Sequence, residues 1–496
     1  MGKDLKLSIV PSLLAPLAAV SRLLAEREVK SYLVGGIVRD VLLGRDTADI
    51  DIAVAGDALE IASEVAAALG GKYVLLDEVN RVGRIIMTDG NGPWQLDFAT
   101  FEGDIEQDLA RRDFTIDAMA VNLGELMADL SGVVDPFGGQ DDLRRGIIRV
   151  VAETAFELDA VRLLRAVRLA AELGFSIESQ TEALIRRYAH LVAGVAGERI
   201  REEILRLLAV SRTRPFLPYL DELGLLTALI PELTETKGVT QPREHVWNVF
   251  DHSLETVAAL DFLLKEGDCS YASDEVLAAV PWSEILAQHF GREVSGGSTR
   301  RLLLKLAALL HDIAKPQTRA IDAGGRMRFL GHPQDGAAIA GNILERLRFS
   351  VKEVRLVEVM VRHHLRPTQM SQTGLPTRRA VYRYFRDTGE AGVDILFLSL
   401  ADHLATRGPH LDLDEWRGHA QTVEYVLSQR FQEESVVKPP KLIDGHDLMN
   451  IFGMSPGPEV GELLEVMREA QAAGELTTRE EALSFLRQRL SYSRVR

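Results

Sequence analysis

Up to about Val150 the chain alternates short β-branched runs with apolar stretches of helical period. Ser31–Val34, Asp49–Ala53, Arg84–Met87 and Gln95–Thr100 read as strands. From Ala155 onward helical periodicity takes over almost completely, which predicts an α/β head followed by an all-α body. Leu7 to Ala25 is apolar but broken by Pro11, Pro16 and Arg22, as suits an amphipathic first helix rather than a signal peptide. Periodicity lapses at Thr234–Arg243 and at Lys265–Arg300, the latter ending in Ser295-Gly296-Gly297-Ser298, and both read as boundaries or inserts. No internal repeat is present.

With 496 residues the chain exceeds a single core, and the pattern divides it into 1–148, 149–235, 236–410 and 411–496. The formal charge of −16 argues against indiscriminate nucleic-acid binding but leaves room for a basic stripe on one face. One cysteine, Cys269, makes no internal disulfide, which fits a reducing cytoplasm. No apolar run approaches the roughly 20 residues of a membrane span.

Chemistry first becomes legible at Tyr32-Leu33-Val34-Gly35-Gly36, a strand running through a glycine turn into a helix. Gly35 and Gly36 let the backbone approach a ligand, with phosphate the natural guest; a plain tight turn is the bland alternative. In the next strand Asp49 and Asp51 alternate with Ile50, so both carboxylates share one face. Paired carboxylates repel unless a cation lies between them, and hard oxygen ligands suit Mg²⁺. Asp97 offers a third carboxylate from a later strand. Arg111 and Arg112, followed by Asp113, stand just before an apolar stretch, where guanidiniums can grip triphosphate oxygens bidentately or merely salt-bridge a helix start.

Gly35-Gly36-x-Val38-Arg39-Asp40, Asp49-x-Asp51 and Arg111-Arg112-Asp113-Phe114-Thr115-Ile116-Asp117-Ala118 occur in this order. They resemble the head of class II tRNA nucleotidyltransferases, the CCA-adding enzymes and bacterial poly(A) polymerases, whose fold is polymerase-β-like. The resemblance implies a nucleotidyltransferase head over 1–148 and a helical, base-selecting neck over 149–235. It also implies that Asp49 and Asp51 bind catalytic Mg²⁺, that Arg39 and the Arg-Arg-Asp segment lie at the nucleotide, and that tRNA, CTP and ATP are partners.

Asp159 and Arg162 stand three apart in a helical run, followed by Arg165 and Arg168. Cytosine and adenine both offer an amino donor beside a ring-nitrogen acceptor, so a carboxylate and a guanidinium can read them and leave uracil and guanine unpaired. A surface ion pair is the ordinary alternative. The family reads bases with a Glu-Asp-x-x-Arg motif in this way, but Leu158 replaces its glutamate here, with Glu157 one residue away. Arg165 and Arg168 are expected at phosphate or ribose. Only Phe101–Ala110 separates Thr100 from Arg111, and Glu102 stands where arginine is expected. In the family a shortened loop here accompanies enzymes that add only the two cytidines and need an A-adding partner. Complete CCA addition remains the leading expectation, with CC-only and poly(A) addition as alternatives.

His252, His311-Asp312 and Asp402 all sit in apolar helical runs, where unpaired charges are costly to bury and a shared metal would relieve them together. Leu309-Leu310-His311-Asp312-Ile313-x-Lys315-Pro316 resembles the HD superfamily of metal-dependent phosphohydrolases. His332 and His363-His364 are candidates for a second metal, His363 being the one expected, and His245 a weaker one that shares a helical face with His252. The metal is Mg²⁺ or a divalent transition ion, and the module is either a phosphohydrolase acting on RNA ends or a structural metal site. Arginines at 186, 187, 199, 201, 206, 212, 214, 378, 379, 383 and 386 could follow an RNA backbone. An HD phosphohydrolase whose head only binds RNA, and a catalytically silent RNA-binding protein, are the competing classes.

Overall fold

The computed structural model describes residues 11–45, 47, 49–89, 92–125, 132–211, 213–265, 271–371, 374–431, 434–437 and 439–493; Cys269 and Arg212 lie outside them. The chain forms two compact units, residues 1–207 with 220–229 and residues 208–219 with 230–496.

In the first unit, α1 (Pro11–Glu26), β1 (Ser31–Val34), α2 (Gly36–Leu43), β2 (Asp49–Val54), α3 (Ala58–Leu69), β3 (Lys72–Asp77), β4 (Val82–Asp89), β5 (Gly92–Thr100), α4 (Ile105–Leu109), β6 (Ala120–Asn122) and β7 (Val133–Val134) follow in order. The strands make one sheet, β3-β4-β5-β2-β1-β6-β7. All neighbours run antiparallel except β2 and β5, whose parallel register sets Asp51 opposite Asp97. All four expected strands are present. β3 escaped the pattern because it lies half exposed at the sheet edge, without alternation. The Asp57 side chain caps α3 by accepting from Leu59 N at 3.1 Å. The helix then buries Ile61, Ala62, Val65 and Ala66, each large apolar side chain contributing about 1.5–3 kcal/mol.

Next come α5 (Gly139–Arg145), β8 (Ile147–Ile148), α6 (Ala155–Leu158), α7 (Arg162–Leu173), β9 (Ser176–Ile177), α8 (Ser179–Tyr188) and α9 (Gly197–Leu208). β8 pairs in parallel with β9, so the expected limit at residue 148 falls inside a hydrogen-bonded structure. Asp159 is extended (φ −153°) and separates α6 from α7. Asp159 and Arg162 therefore do not sit on one helix, contrary to the three-residue spacing.

The second unit is built on helices Val249–Leu263 and Gly392–Arg407, both apolar nearly all round and buried accordingly. Helices Arg300–Leu310, His332–Arg346 and Val351–His363 surround them. Lys305, fully buried, is held by Asp261 at 2.7 Å and the Leu208 carbonyl at 2.8 Å. The body is not wholly helical. Glu293–Ser295 pairs with Ser298–Thr299 around Gly296-Gly297, and Arg319–Ile321 pairs with Met327–Phe329. Strands of two or three residues leave no period to detect.

Residues from Ile443 to Leu486 have a hydrophobic core of their own. The helix Pro458–Ala472 and the turn after it present acidic side chains to the arginines of helix Arg378–Thr388. Glu475 lies 3.0 Å from Arg379, Glu465 lies 2.9 Å from Arg386, and Glu469 pairs with Arg383. No helix among the described residues is long and apolar enough to cross a membrane.

Candidate active site and metal centre

In the first unit β2, β5, the glycine turn and α7 line a cavity of about 530 Å³. Asp49, Asp51, Asp97, Gly35, Gly36, Arg39, Arg112, Asp113, Arg165 and Arg168 all reach it. Asp49 is exposed and Asp51 half-buried. Burial pushes the Asp51 carboxyl up to about 6, aided by Asp97 and Asp49 and opposed by Arg112. Gly35 has φ +77°, and a Cβ there would lie 2.6 Å from Arg112 Nη1 and 3.3 Å from Asp51 Oδ2. The glycine is required by both its conformation and the close approach of the two side chains.

Two neighbours were not anticipated. Arg84, across the antiparallel register from Asp97, grips that carboxylate with two bonds of 2.7 Å. Glu203 is buried and bridges Arg165 at 3.1 Å and Arg168 at 2.6 Å. Arg168 is further tied to Glu172 at 2.6 Å. Arg168, expected at phosphate or ribose, lines the cavity but is only 7% exposed and is paired with both carboxylates. Arg39 is likewise braced, by Asp117 at 2.7 Å and bidentately by Asp40. Asp113 accepts from Arg165 at 2.8 Å and from Phe114 N at 3.0 Å. Burial opposes its charge, but Arg165 and Arg162 hold its pKa below the usual value.

Arg111, Asp159 and Arg162 do not line this cavity. Arg162 donates to the Arg111 carbonyl at 2.9 Å and stands 3.9 Å from Asp159. Asp159 is instead clasped by Arg199 through bonds of 2.9 and 2.8 Å. Leu158 is 74% exposed and supports neither of them.

The second unit gathers the histidines. Ligand atoms of His252, His311 and Asp312 lie within 4.8 Å of one another, and so do those of Asp312, His332 and His364. His252 Nε2 is 3.3 Å from His311 Nε2 and 3.0 Å from Asp402 Oδ1; His332 Nε2 is 3.4 Å from His364 Nε2. Nδ1 of His311, His332 and His364 contacts the carbonyls of Ala308, Phe329 and Val361 at 2.7, 2.6 and 2.7 Å. Those bonds put the proton on Nδ1 and turn each Nε2 lone pair inward. Facing lone pairs need a positive charge between them. Burial resists a proton on His311, but Asp312 and Asp402 overcome it and raise its pKa, whereas burial lowers His252 and takes His364 down to about 3. A divalent ion meets the same need for the whole set, and imidazole with carboxylate suits one.

The second-metal expectation for His363 is corrected to His364. His363 is the half-buried last residue of its helix, and the inward direction belongs to the next position. His245 is not on the His252 helix, which begins at Val249; it meets His252 edge to face from the preceding turn, with centroids 5.3 Å apart. Among the arginines expected along RNA, Arg186 and Arg206 pair within their helices, Arg214 meets Glu255 at 3.3 Å, and Arg379, Arg383 and Arg386 meet the glutamates described above.

The comparisons agree along the chain. Residues 31–149 match the poly A polymerase head domain, 174–237 the probable RNA and SrmB- binding site of polymerase A, 249–407 the HD domain, and 410–486 the putative tRNA nucleotidyltransferase domain 2. An A-adding tRNA nucleotidyltransferase of Deinococcus radiodurans is 35% identical over 460 residues, 92% of this chain and 94% of the relative. A CC-adding tRNA nucleotidyltransferase of Thermus thermophilus is 35% identical over 467 residues, 92% of this chain and 93% of that one. The Thermotoga maritima CCA-adding enzyme, solved with tRNA, shares the fold at a TM-score of 0.59 and 23% identity, covering 97% of this chain and 96% of its own. An α/β head with paired carboxylates beside a glycine turn, followed by a helical body with an HD domain, defines a nucleotidyltransferase. The chain belongs to the class II tRNA nucleotidyltransferase family.

Proposed function

We propose that this enzyme adds the two cytidines of the CCA end to tRNA and leaves the final adenosine to a companion enzyme. The observation that carries this reading is the segment between Thr100 and Arg111. It is short, Asp104 caps it by accepting from Gln107 N at 2.9 Å, and Phe101, Ile105 and Leu109 are buried in one cluster. A segment so pinned lacks the length and freedom of the longer loop in relatives that complete CCA. The CC-adding relative from Thermus thermophilus supports the reading. The equally similar A-adding relative makes addition of adenosine alone the rival outcome.

In this reading Asp49 and Asp51 would hold Mg²⁺, with Asp97, now paired with Arg84, as a further carboxylate within the same cavity. Bound there, Mg²⁺ supplies charge neutralisation for the attacking hydroxyl and the leaving pyrophosphate. Arg112, beside Gly35, takes triphosphate oxygens, while Arg39 and Asp113 keep the walls of the cavity in place. Asp159 accepts the exocyclic amino group and Arg162 donates to the ring nitrogen. Arg199 and the Arg111 carbonyl hold that pair in the absence of the family's glutamate. Transcripts ending at the discriminator base, at CC and at CCA, each given CTP, ATP or both, test it. A stop at CC supports the proposal, growth to CCA replaces it with complete addition, and addition of one A to CC-ended tRNA alone assigns the A-adding activity.

The converging histidines favour a second reading alongside the first. His252, His311, Asp312 and Asp402 hold one divalent metal, Asp312 with His332 and His364 a second, and the module hydrolyses phosphoesters at RNA ends. Metal analysis of the purified protein, followed by assay on a 2′,3′-cyclic phosphate, checks it. Absence of both metal and hydrolysis would leave the cluster a structural one.

A further inference from the structure

A cavity of about 740 Å³ in the second unit lies among the Glu293–Ser295 strand, the start of helix Arg300–Leu310, helix Val351–His363 and the turn after helix Arg378–Thr388. Its volume is that of a small-molecule pocket, for which about 300–1,000 Å³ is usual. Arg292, Arg300, Lys352 and Arg355 line it, in a chain whose net charge is −16.

Arg300 is the buried end of the cavity, its side chain only 3% exposed. Nε bonds His289 at 3.0 Å and Asp394 at 3.2 Å, and Nη2 bonds the Glu390 carbonyl at 2.8 Å as well as Asp394. Nη1 is different. Its ion-pair contact is Glu390 Oε2, 3.8 Å away and too far for a hydrogen bond. The same Oε2 lies 3.2 Å from Arg292 Nη2, although the Glu390 side chain is 78% exposed. One carboxylate oxygen thus stands between two guanidiniums while the rest of its side chain is in water. It occupies the position that an oxygen of an arriving anion would take.

Lys352 and Arg355 follow one another on one face of their helix, both exposed, with no ion pair or hydrogen bond among the described residues. Leu356 and Val359 supply an apolar wall next to them. Glu293 adds one opposing charge to the lining, its Oε1 held by Gly297 N at 3.0 Å. Two guanidiniums sharing one displaceable carboxylate oxygen, with an ammonium and a further guanidinium beside them, match a phosphate group. The apolar wall suits the ring of the nucleoside that carries it.

We propose that this cavity binds the phosphate of a nucleotide unit, with Glu390 as an internal occupant that the phosphate displaces. The assignment does not depend on which nucleotides the head adds. The test titrates AMP, and separately a short single-stranded RNA, into the full-length protein by calorimetry. The variants are Lys352→Ala with Arg355→Ala, and Glu390→Gln. All three side chains are exposed, and melting curves verify that the fold is kept. The double variant should weaken one of the two ligands by about tenfold or more, and Glu390→Gln should tighten the same ligand about two- to fivefold. A change with AMP assigns the site to a free nucleotide; a change with RNA alone assigns it to an RNA phosphate. No change with either ligand, or weaker binding in Glu390→Gln, overturns the proposal.

Discussion

The head cavity and the histidine cluster both gather carboxylates that demand a cation, yet they neutralise them differently. In the head, carboxylates on adjacent strands share a cavity with arginines, and Arg84 already occupies Asp97 with two hydrogen bonds. The charges can be exchanged as ligands arrive. In the cluster, His252, His311, Asp312 and His364 are almost wholly buried, and backbone carbonyls fix three of the histidine rings. The lesson is that the head cavity carries counter-ions of its own, whereas the cluster has its lone pairs already aimed at one another.

The sharpest way to break this comparison is at Asp49. Asp49→Ala should cut nucleotide addition by about a thousandfold or more, read by primer extension, and leave the metal content of the second unit unchanged. Loss of both would mean the two sites are not separable. The cluster is tested by two adjacent substitutions. His364→Ala should lower the bound divalent metal measured by mass spectrometry, by one ion per chain if two are held, while His363→Ala should leave it unaltered. Arg199→Ala should reduce kcat/KM for CTP by about ten- to a hundredfold and admit more UTP, with Arg199→Lys recovering little, because a bidentate grip is not replaced by a point charge.

A stability effect of opposite sign is expected at Asp51. Its raised pKa means that the folded state binds more protons than the unfolded one between about pH 4 and 6. Stability of the metal-free protein therefore falls as pH rises through that window and stays low above it. Asp51→Asn should abolish addition yet raise metal-free stability at pH 7, by up to about 3 kcal/mol. A melting curve without Mg²⁺ checks it. The smallest effect is expected at the C-terminal module. Arg383 holds Glu469 below the usual carboxylate range. For such depressed groups stability is present at neutral pH and is lost as pH falls through the folded pKa. Hydrogen exchange in Pro458–Ala472 should rise below about pH 4 before the rest of the unit loosens.

How much was legible follows from how local each signal is. Asp49 and Asp51 were readable because strand alternation fixes a shared face within three residues. Their third partner was readable as a carboxylate, but its clasp by Arg84 depends on antiparallel register, which no local pattern encodes. Asp159 and Arg162 looked like one helical face, and the extended backbone at Asp159 undid that geometry. His311-Asp312 stood out in its apolar run, whereas the choice between His363 and His364 turns on roughly 100° of helix rotation. The two hairpins of the second unit were invisible because strands of two or three residues span hardly more than one two-residue period, too little to show alternation.

The row of Arg379, Arg383 and Arg386 against Glu475, Glu469 and Glu465 also has a thermodynamic consequence. Nucleic-acid affinity normally falls steeply with salt, because each phosphate neutralised by a free cation sets condensed counter-ions loose. These arginines are already neutralised from within the chain. A phosphate that takes one of them frees a glutamate, which then gathers cations of its own, so the ionic ledger at this row closes near zero. Contacts made here would confer shape and register on a bound RNA while leaving its affinity almost indifferent to the salinity of the medium.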